Sequence, residues 1–203
     1  MKTTKNRWPV MEHFYTIQGE GVHSGRAAYF IRLAGCDVGC HWCDVKESWE
    51  LNGYPLLEAG ALVKEARKSG APIAVITGGE PAIHNLAMLT KALNAAGFAI
   101  HLETSGAYPV TGKFDWLCVS PKKRKPPIKE NLVKADELKV VIYNKDDFKW
   151  AEKNTADVSK KCELLLQPEW SKSSVVMPLI VDYIKKHPRW QISLQAHKYM
   201  QVP

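Results

Sequence analysis

Three cysteines, Cys36, Cys40 and Cys43, stand at C-x3-C-x2-C spacing behind an apolar run, Tyr29 to Leu33, and a glycine, Gly35. Three thiolates this close can hold three irons of a 4Fe–4S cluster and leave the fourth iron open to a ligand that is not protein. With a fourth ligand, such as His41 or a distant histidine, the same thiols could hold zinc instead. The spacing favours iron–sulfur chemistry and leaves zinc open. Cys118 and Cys162 lie in or beside apolar runs and read as buried free thiols.

Other reactive or polar groups cluster at the ends of apolar segments. Gly78-Gly79-Glu80-Pro81 follows Pro72 to Thr77, and Gln18-Gly19-Glu20-Gly21 follows Phe14 to Ile17. Each is either a plain turn or a loop whose glycines let backbone come close to a ligand. Arg32 interrupts an apolar run, so it needs an anion or a route to solvent.

These groups need a scaffold that brings them together. Apolar segments Ala28–Leu33, Pro72–Thr77, Phe98–Leu102, Trp116–Val119, Leu138–Ile142, Leu164–Leu166 and Trp190–Leu194 read as strands. Helical spacing is expected over Pro55–Ser69 (stopped at Gly70), Leu86–Ala96, Asp146–Lys153 and Val175–Lys186. The βα alternation predicts a parallel sheet. Sites on such sheets form at the carboxyl ends of the strands. There the chain places the cysteines, Gly78-Gly79-Glu80, Glu103-Thr104-Ser105, Ser120-Pro121-Lys122, Gln167-Pro168-Glu169-Trp170 and Gln195-Ala196-His197-Lys198. Seven strands are too few for a complete eight-fold barrel, so an α/β fold with an incomplete, open-sided (β/α) barrel is expected.

The length suits one domain over residues 1–203, with residues 1–10 as a loose lead-in. That lead-in has no apolar signal region, and no run approaches a membrane span, so a cytoplasmic protein without membrane partners is expected. The formal charge is +7, partly from Lys122-Lys123-Arg124-Lys125. Such a run can bind nucleic acid, but without interleaved aromatics it reads as a solvated loop; a basic surface also steers anionic small substrates.

The cysteine motif with Trp42, followed by Gly78-Gly79-Glu80, resembles the radical S-adenosylmethionine superfamily. Within it, Gln18-Gly19-Glu20-Gly21, Phe30-Ile31-Arg32-Leu33, Cys43-Asp44, Thr77 to Pro81, Glu103-Thr104-Ser105-Gly106, Ser120-Pro121-Lys122, Gln167-Pro168 and Gln195-Ala196-His197-Lys198-Tyr199 resemble the 7-carboxy-7-deazaguanine synthases, from about residue 11 onward. The resemblance implies a homodimeric lyase that turns 6-carboxy-5,6,7,8-tetrahydropterin into 7-carboxy-7-deazaguanine and ammonia for queuosine and related deazapurines. It implies a 4Fe–4S cluster, S-adenosylmethionine and a flavodoxin- or ferredoxin-like reductant.

By the same resemblance, Cys36, Cys40 and Cys43 ligate the cluster. Trp42, Cys43, Asp44, Gly78, Gly79, Glu80, Ser120, Pro121, Lys122, Gln167, Pro168, Glu169 and Trp170 border S-adenosylmethionine, with Glu80 accepting from its ammonium. Ile17, Gln18, Gly19, Glu20, Arg32, Thr77, Glu103, His197 and Pro203 border the pterin. No catalytic side chain is expected beyond the cluster and cofactor.

One position departs. Where many members carry a threonine that ligates Mg2+, this chain has Val45. Mg2+ wants oxygen, so weak or absent Mg2+ dependence is expected unless Glu47, Ser48, a carbonyl or a water substitutes. Two competing readings remain: a radical S-adenosylmethionine activating enzyme with a protein partner, and a metal-bearing nucleic-acid module.

Overall fold

The computed structural model of the chain describes residues 6–203. Its strands and helices run β1 (Arg7–Ile17), β2 (Ala27–Leu33), β3 (Leu56–Glu58), α1 (Ala59–Ser69), β4 (Ile73–Gly78), α2 (Ala87–Ala95), β5 (Ala99–Thr104), β6 (Trp116–Val119), α3 (Lys129–Lys134), β7 (Glu137–Ile142), α4 (Asp146–Thr155), β8 (Glu163–Pro168), α5 (Ser173–Lys186), β9 (Trp190–Ile192) and α6 (Ala196–Met200). The strands form one nine-stranded sheet in the order β3-β1-β2-β4-β5-β6-β7-β8-β9. From β2 to β9 every neighbouring pair is parallel, while β1 lies antiparallel to β2 and β3. The sheet does not close on itself, as the open-sided α/β expectation required.

Side chains alternate between the faces of a strand, and here the alternation separates core from site. Ile31, Leu33, Ile76, Ile100, Leu102, Leu138, Val140, Ile142 and Leu166 lie in one core with Leu62, Leu89, Leu93 and Ile180 of the helices. Each of these large side chains stabilises the fold by roughly 1.5–3 kcal/mol on burial. The other face holds a much smaller cluster, Ala28, Phe30, Ile73 and Val75, flanked by Phe14 and Ala99. Continuing that inner face along each strand gives Arg32, Thr77, Glu103, Cys118, Lys139 and Gln167. Polar groups therefore replace aliphatic ones where the inner face nears the carboxyl ends of the strands.

Three expectations are corrected. The supposed lead-in is a strand from residue 7 on, so the cysteines follow the second strand; residues 1–5 lie outside the described residues. The helix expected from Pro55 begins at Ala59, because Leu56–Glu58 pair with Arg7–Pro9 and Arg7 donates to Glu58 at 2.9 and 2.6 Å. Helices α3 and α6 were not expected at all. Gly70 does stop α1, in the left-handed region at φ 70°.

Candidate active site

A cavity of about 780 Å3 opens on the inner face, at the carboxyl ends of the strands. Every expected site residue lines it except Pro121, whose carbonyl accepts from Trp150 Nε1 at 3.4 Å.

The cysteine loop leaves β2 and is fastened on two sides. Gly35 N–H donates to Ser48 O at 2.7 Å, and Cys36 N–H to Trp49 O at 3.2 Å. Gly79 N–H donates to Leu33 O at 2.9 Å, and Glu80 N–H to Gly35 O at 2.8 Å. This crossing explains the glycine pair. A Cβ on Gly78 would lie 2.0 Å from Leu33 O, and one on Gly79 2.5 Å from Gly35 O. Gly78 also sits at φ 133°. The cysteine loop's own backbone thus demands both glycines.

The basic run is more than a solvated loop. Lys125 Nζ pairs with Asp37 at 2.6 Å and Arg124 donates to Gly39 O at 3.3 Å. Lys122 Nζ lies 5.4 Å from the Trp42 ring centroid and donates to Ser120 O at 2.7 Å. The run straps the cysteine loop from outside.

Cys36, Cys40 and Cys43 are half-buried and free, whereas Cys118 and Cys162 are buried, as expected. Burial pushes the Cys36 and Cys40 thiols above the ordinary value. A coordinating metal removes such protons outright. Among the described residues no three His, Cys, Asp or Glu side chains are gathered as a single metal ion would require. The donor set, three thiols and no fourth cysteine at the cavity, fits a cluster with one open iron.

Mg2+ does not fit. Val45 offers no side-chain oxygen, and the Ser48 hydroxyl donates to the Val45 carbonyl at 2.6 Å.

Glu80 corrects an expectation. Its side chain is 2% exposed. Oε1 accepts from Ala82 N–H at 3.0 Å and from the Thr104 hydroxyl; Oε2 accepts from Ser105 N–H at 2.8 Å and from the Ser105 hydroxyl. Two carboxylate oxygens offer about four lone-pair sites, so no acceptor remains for a ligand ammonium. Glu169 is similarly engaged, accepting from Ser171 N–H at 3.2 Å and Lys172 N–H at 3.1 Å.

In the same cavity, the Gln18-Gly19-Glu20 loop meets β5, β7 and the tail. Gln18 Nε2 donates to Glu103 Oε1 at 2.9 Å. Lys139 Nζ lies 2.5 Å from Glu20 Oε2 and 3.3 Å from Glu103 Oε2. Gln195 Nε2 donates to Glu20 Oε1 at 2.9 Å. Burial alone would raise the Glu20 carboxyl, but the Lys139 charge and hydrogen bond, with Gln195, bring it down to about 2. A Cβ on Gly19 would lie 2.3 Å from His197 Nδ1, so only glycine admits that histidine. Arg32 Nε pairs with Glu12 at 2.5 Å, and its side chain is 21% exposed. Lys198 of α6 ties Asp44, next to the last cysteine, at 3.0 Å.

Sequence reasoning missed Lys139, and named Gln195 only within the tail motif, without a role. The signal for Lys139 was a cation inside the apolar run Leu138–Ile142, the same sign that had marked Arg32.

No family model matches the chain. A 7-carboxy-7-deazaguanine synthase from Flavobacterium psychrophilum is 55% identical over 195 residues, covering 96% of this chain and 92% of the relative. Enzymes of that name from Synechocystis and Escherichia coli are 46% and 34% identical, covering 96% and 97% of this chain and 93% and 99% of the relatives. The crystal structure of QueE from Escherichia coli superposes with a TM-score of 0.85 at 31% identity, covering 97% of this chain and 100% of that one.

Proposed function

Because the chain belongs to the 7-carboxy-7-deazaguanine synthase family, we propose that it converts 6-carboxy-5,6,7,8-tetrahydropterin to 7-carboxy-7-deazaguanine and ammonia, towards queuosine and related deazapurines. The observation that carries this reading is one cavity lined by two unlike sets of groups: three half-buried thiols, and the mutually paired Gln18, Glu20, Lys139 and Glu103.

Cys36, Cys40 and Cys43 would hold a 4Fe–4S cluster, and S-adenosylmethionine would lie at its open iron beside Trp42, Asp44, the Gly78-Gly79 backbone, Ser120, Lys122 and Gln167-Pro168. When bound, the pair supplies hydrogen-atom abstraction and return, chemistry that no side chain here can perform. The chain's own residues bind and orient. Gln18, Glu20 and Glu103 offer acceptors to the donor-rich edge of a pterin, while Ile17, Gly19 and Thr77 shape its walls. Arg32, whose Nε is held by Glu12, can offer its two terminal nitrogens bidentately to the substrate carboxylate. His197 and Pro203 close the far side, and the Lys198–Asp44 pair holds α6 over the mouth. Excluding water there protects a reactive intermediate. Electrons would come from a flavodoxin- or ferredoxin-like donor to a homodimer in the cytoplasm; no helix among the described residues is long and apolar enough to cross a membrane.

An activating enzyme or a nucleic-acid module is not favoured. The relatives named above share the synthase name over nearly the full chain, and the basic run faces the cysteine loop. The test is anaerobic reconstitution with iron and sulfide, reduction, and incubation with the carboxy-tetrahydropterin and S-adenosylmethionine. Mass spectrometry should find the deazaguanine acid; its absence with an intact cluster overturns the assignment.

A further inference from the structure

Lys139 is a lysine whose side chain is only 4% exposed, on the inner face of β7. A buried ammonium is costly unless paired. Here it is paired twice, with Glu20 and Glu103, whose side chains are 17% and 24% exposed. Those two carboxylates come from elements far apart in the chain. Without the cation between them they would repel, and at least one would take up a proton.

We propose that Lys139 is the specificity-determining positioning residue of the substrate pocket: by bridging Glu20 and Glu103 it keeps two adjacent carboxylates as pure acceptors, and so selects a heterocycle with neighbouring N–H donors over one with a carbonyl in their place. The selected group is a 2-amino-4-oxopyrimidine edge, and the rejected one is its 2-oxo counterpart. This rests on the substrate class proposed above.

The surrounding groups agree. The Glu20 carboxylate is faced by Lys139 from β7 and by Gln195 and His197 from the tail, while its backbone N–H donates to Gln18 Oε1. Lys139 is faced by Glu103 from β5, by Glu137 of its own strand, by Cys118 from β6, and by Lys122 from the loop beyond it. Burial pulls the Lys139 ammonium down, and the carboxylates of Glu103 and Glu20 more than restore it. Gln18 Nε2 points its donor at Glu103, which fixes that carboxylate as an acceptor. A carboxylate accepts two donors, whereas a protonated acid presents an O–H towards the same edge. A site built for donors leaves its acceptors unpaired when an analogue lacks them, which is where large discrimination arises.

The test compares binding of two non-reacting probes, 6-carboxypterin and 6-carboxylumazine, to the reconstituted holoenzyme by calorimetry. Wild type should prefer the amino probe with an affinity that is flat between pH 6 and 8. Lys139→Met should lose at least ~10-fold of that preference, and its affinity for the amino probe should rise with pH as the released carboxyls ionise. Lys139→Arg keeps the charge and should restore the flat profile. A Lys139→Met variant with wild-type preference and a flat profile overturns the inference, as does an equal, pH-independent loss for both probes. If Lys139→Met does not fold, wild type decides: a flat affinity down to pH 5 supports the inference, and a midpoint between pH 5 and 7 rejects it. Wild type that binds neither probe rejects the substrate class itself. Wild type that binds the amino probe but forms no deazaguanine acid rejects the catalytic reading alone and leaves this one supported.

Discussion

The Glu80 carboxylate accepts the backbone N–H of Ser105 at 2.8 Å. It thereby joins the end of β4 to the end of β5, beneath the cysteine loop. The Thr104 and Ser105 hydroxyls and Ala82 N–H complete its shell. A residue that reads in sequence as a ligand acceptor is, in the folded chain, a fastening for the floor of the cavity.

Glu80→Gln should therefore act first on stability. It replaces an acceptor oxygen with an N–H2 group facing donors, so about 2–4 kcal/mol of unfolding free energy should be lost. Urea titration of the wild-type and variant proteins measures it. A loss below about 1 kcal/mol, together with S-adenosylmethionine affinity weakened more than about tenfold, would place the carboxylate on the ligand instead.

Gly78→Ala should be among the worst single changes in the chain. Its Cβ would meet Leu33 O at 2.0 Å, and the residue sits at φ 133°. Backbone strain of this kind costs on the order of 1–3 kcal/mol before the clash is counted. Gly60→Ala is the contrasting case: nothing lies within 4 Å, in the first turn of α1, so a gain of about 0.5 kcal/mol is expected. Thermal denaturation of both variants checks the pair. A soluble Gly78→Ala protein with an unchanged midpoint would contradict the crossing described here.

Mg2+ removal should leave turnover within about twofold, because Val45 has no oxygen and the Ser48 hydroxyl is held by the Val45 carbonyl. Steady-state rates after strict chelation, with and without added Mg2+, test this. Saturable activation of more than about tenfold would show that water or a backbone carbonyl completes a site there.

Acid should weaken the fold through His101. Burial first, then the neighbouring His23 and Arg26, hold it at about 4 against an ordinary 6.5; Asp115 opposes them. Between those two values the unfolded chain binds the proton that the folded chain refuses. Stability is thus complete above pH 6.5 and falls as pH drops towards 4, by at most ~1.4 kcal/mol per unit from this group. His101→Gln should flatten that slope in urea midpoints measured from pH 7.5 to 5. An unchanged slope would assign the acid sensitivity to other groups, His23 among them.

The parallel strands were legible because both of their faces are covered, which makes Ile73–Ile76 or Leu164–Leu166 continuous apolar runs. β1 was hidden for the opposite reason. It is antiparallel, it mixes Pro9, Glu12 and His13 with its apolar positions, and its pairing with β3 lies far away in sequence. α3 has six residues and only two buried side chains, too few for a periodic signal. The residues named from strand-end position and from the family resemblance nearly all line the cavity. Neither signal could show which of them were already engaged: Glu80 with Ser105, Glu169 with its turn, Arg32 with Glu12. Hydrogen-bond partners are set by tertiary approach, and residue type alone does not disclose them. Lys139 was passed over because in a strand read as one apolar run a single cation looks like an interruption.

The sheet's two edge strands are β3 and β9, and near the β9 edge the loop after β1 is tied to the chain's last segment. Ala196 N–H donates to Gly19 O at 2.8 Å, Gly21 N–H to Ser193 Oγ at 2.9 Å, and Gln195 to Glu20 at 2.9 Å. For a chain emerging from the ribosome this sets an order of assembly. The strands from β1 to β8 can pair as they appear, in the usual N-terminal-first fashion. The Gln18-Gly19-Glu20 loop, though among the first residues made and already tied to Glu103 and Lys139, gains its remaining bonds only from nearly the last ones. A nascent protein stalled before Ser193 would thus own most of its sheet and its cysteine loop while lacking Gln195, His197, Lys198 and Pro203 at its pocket.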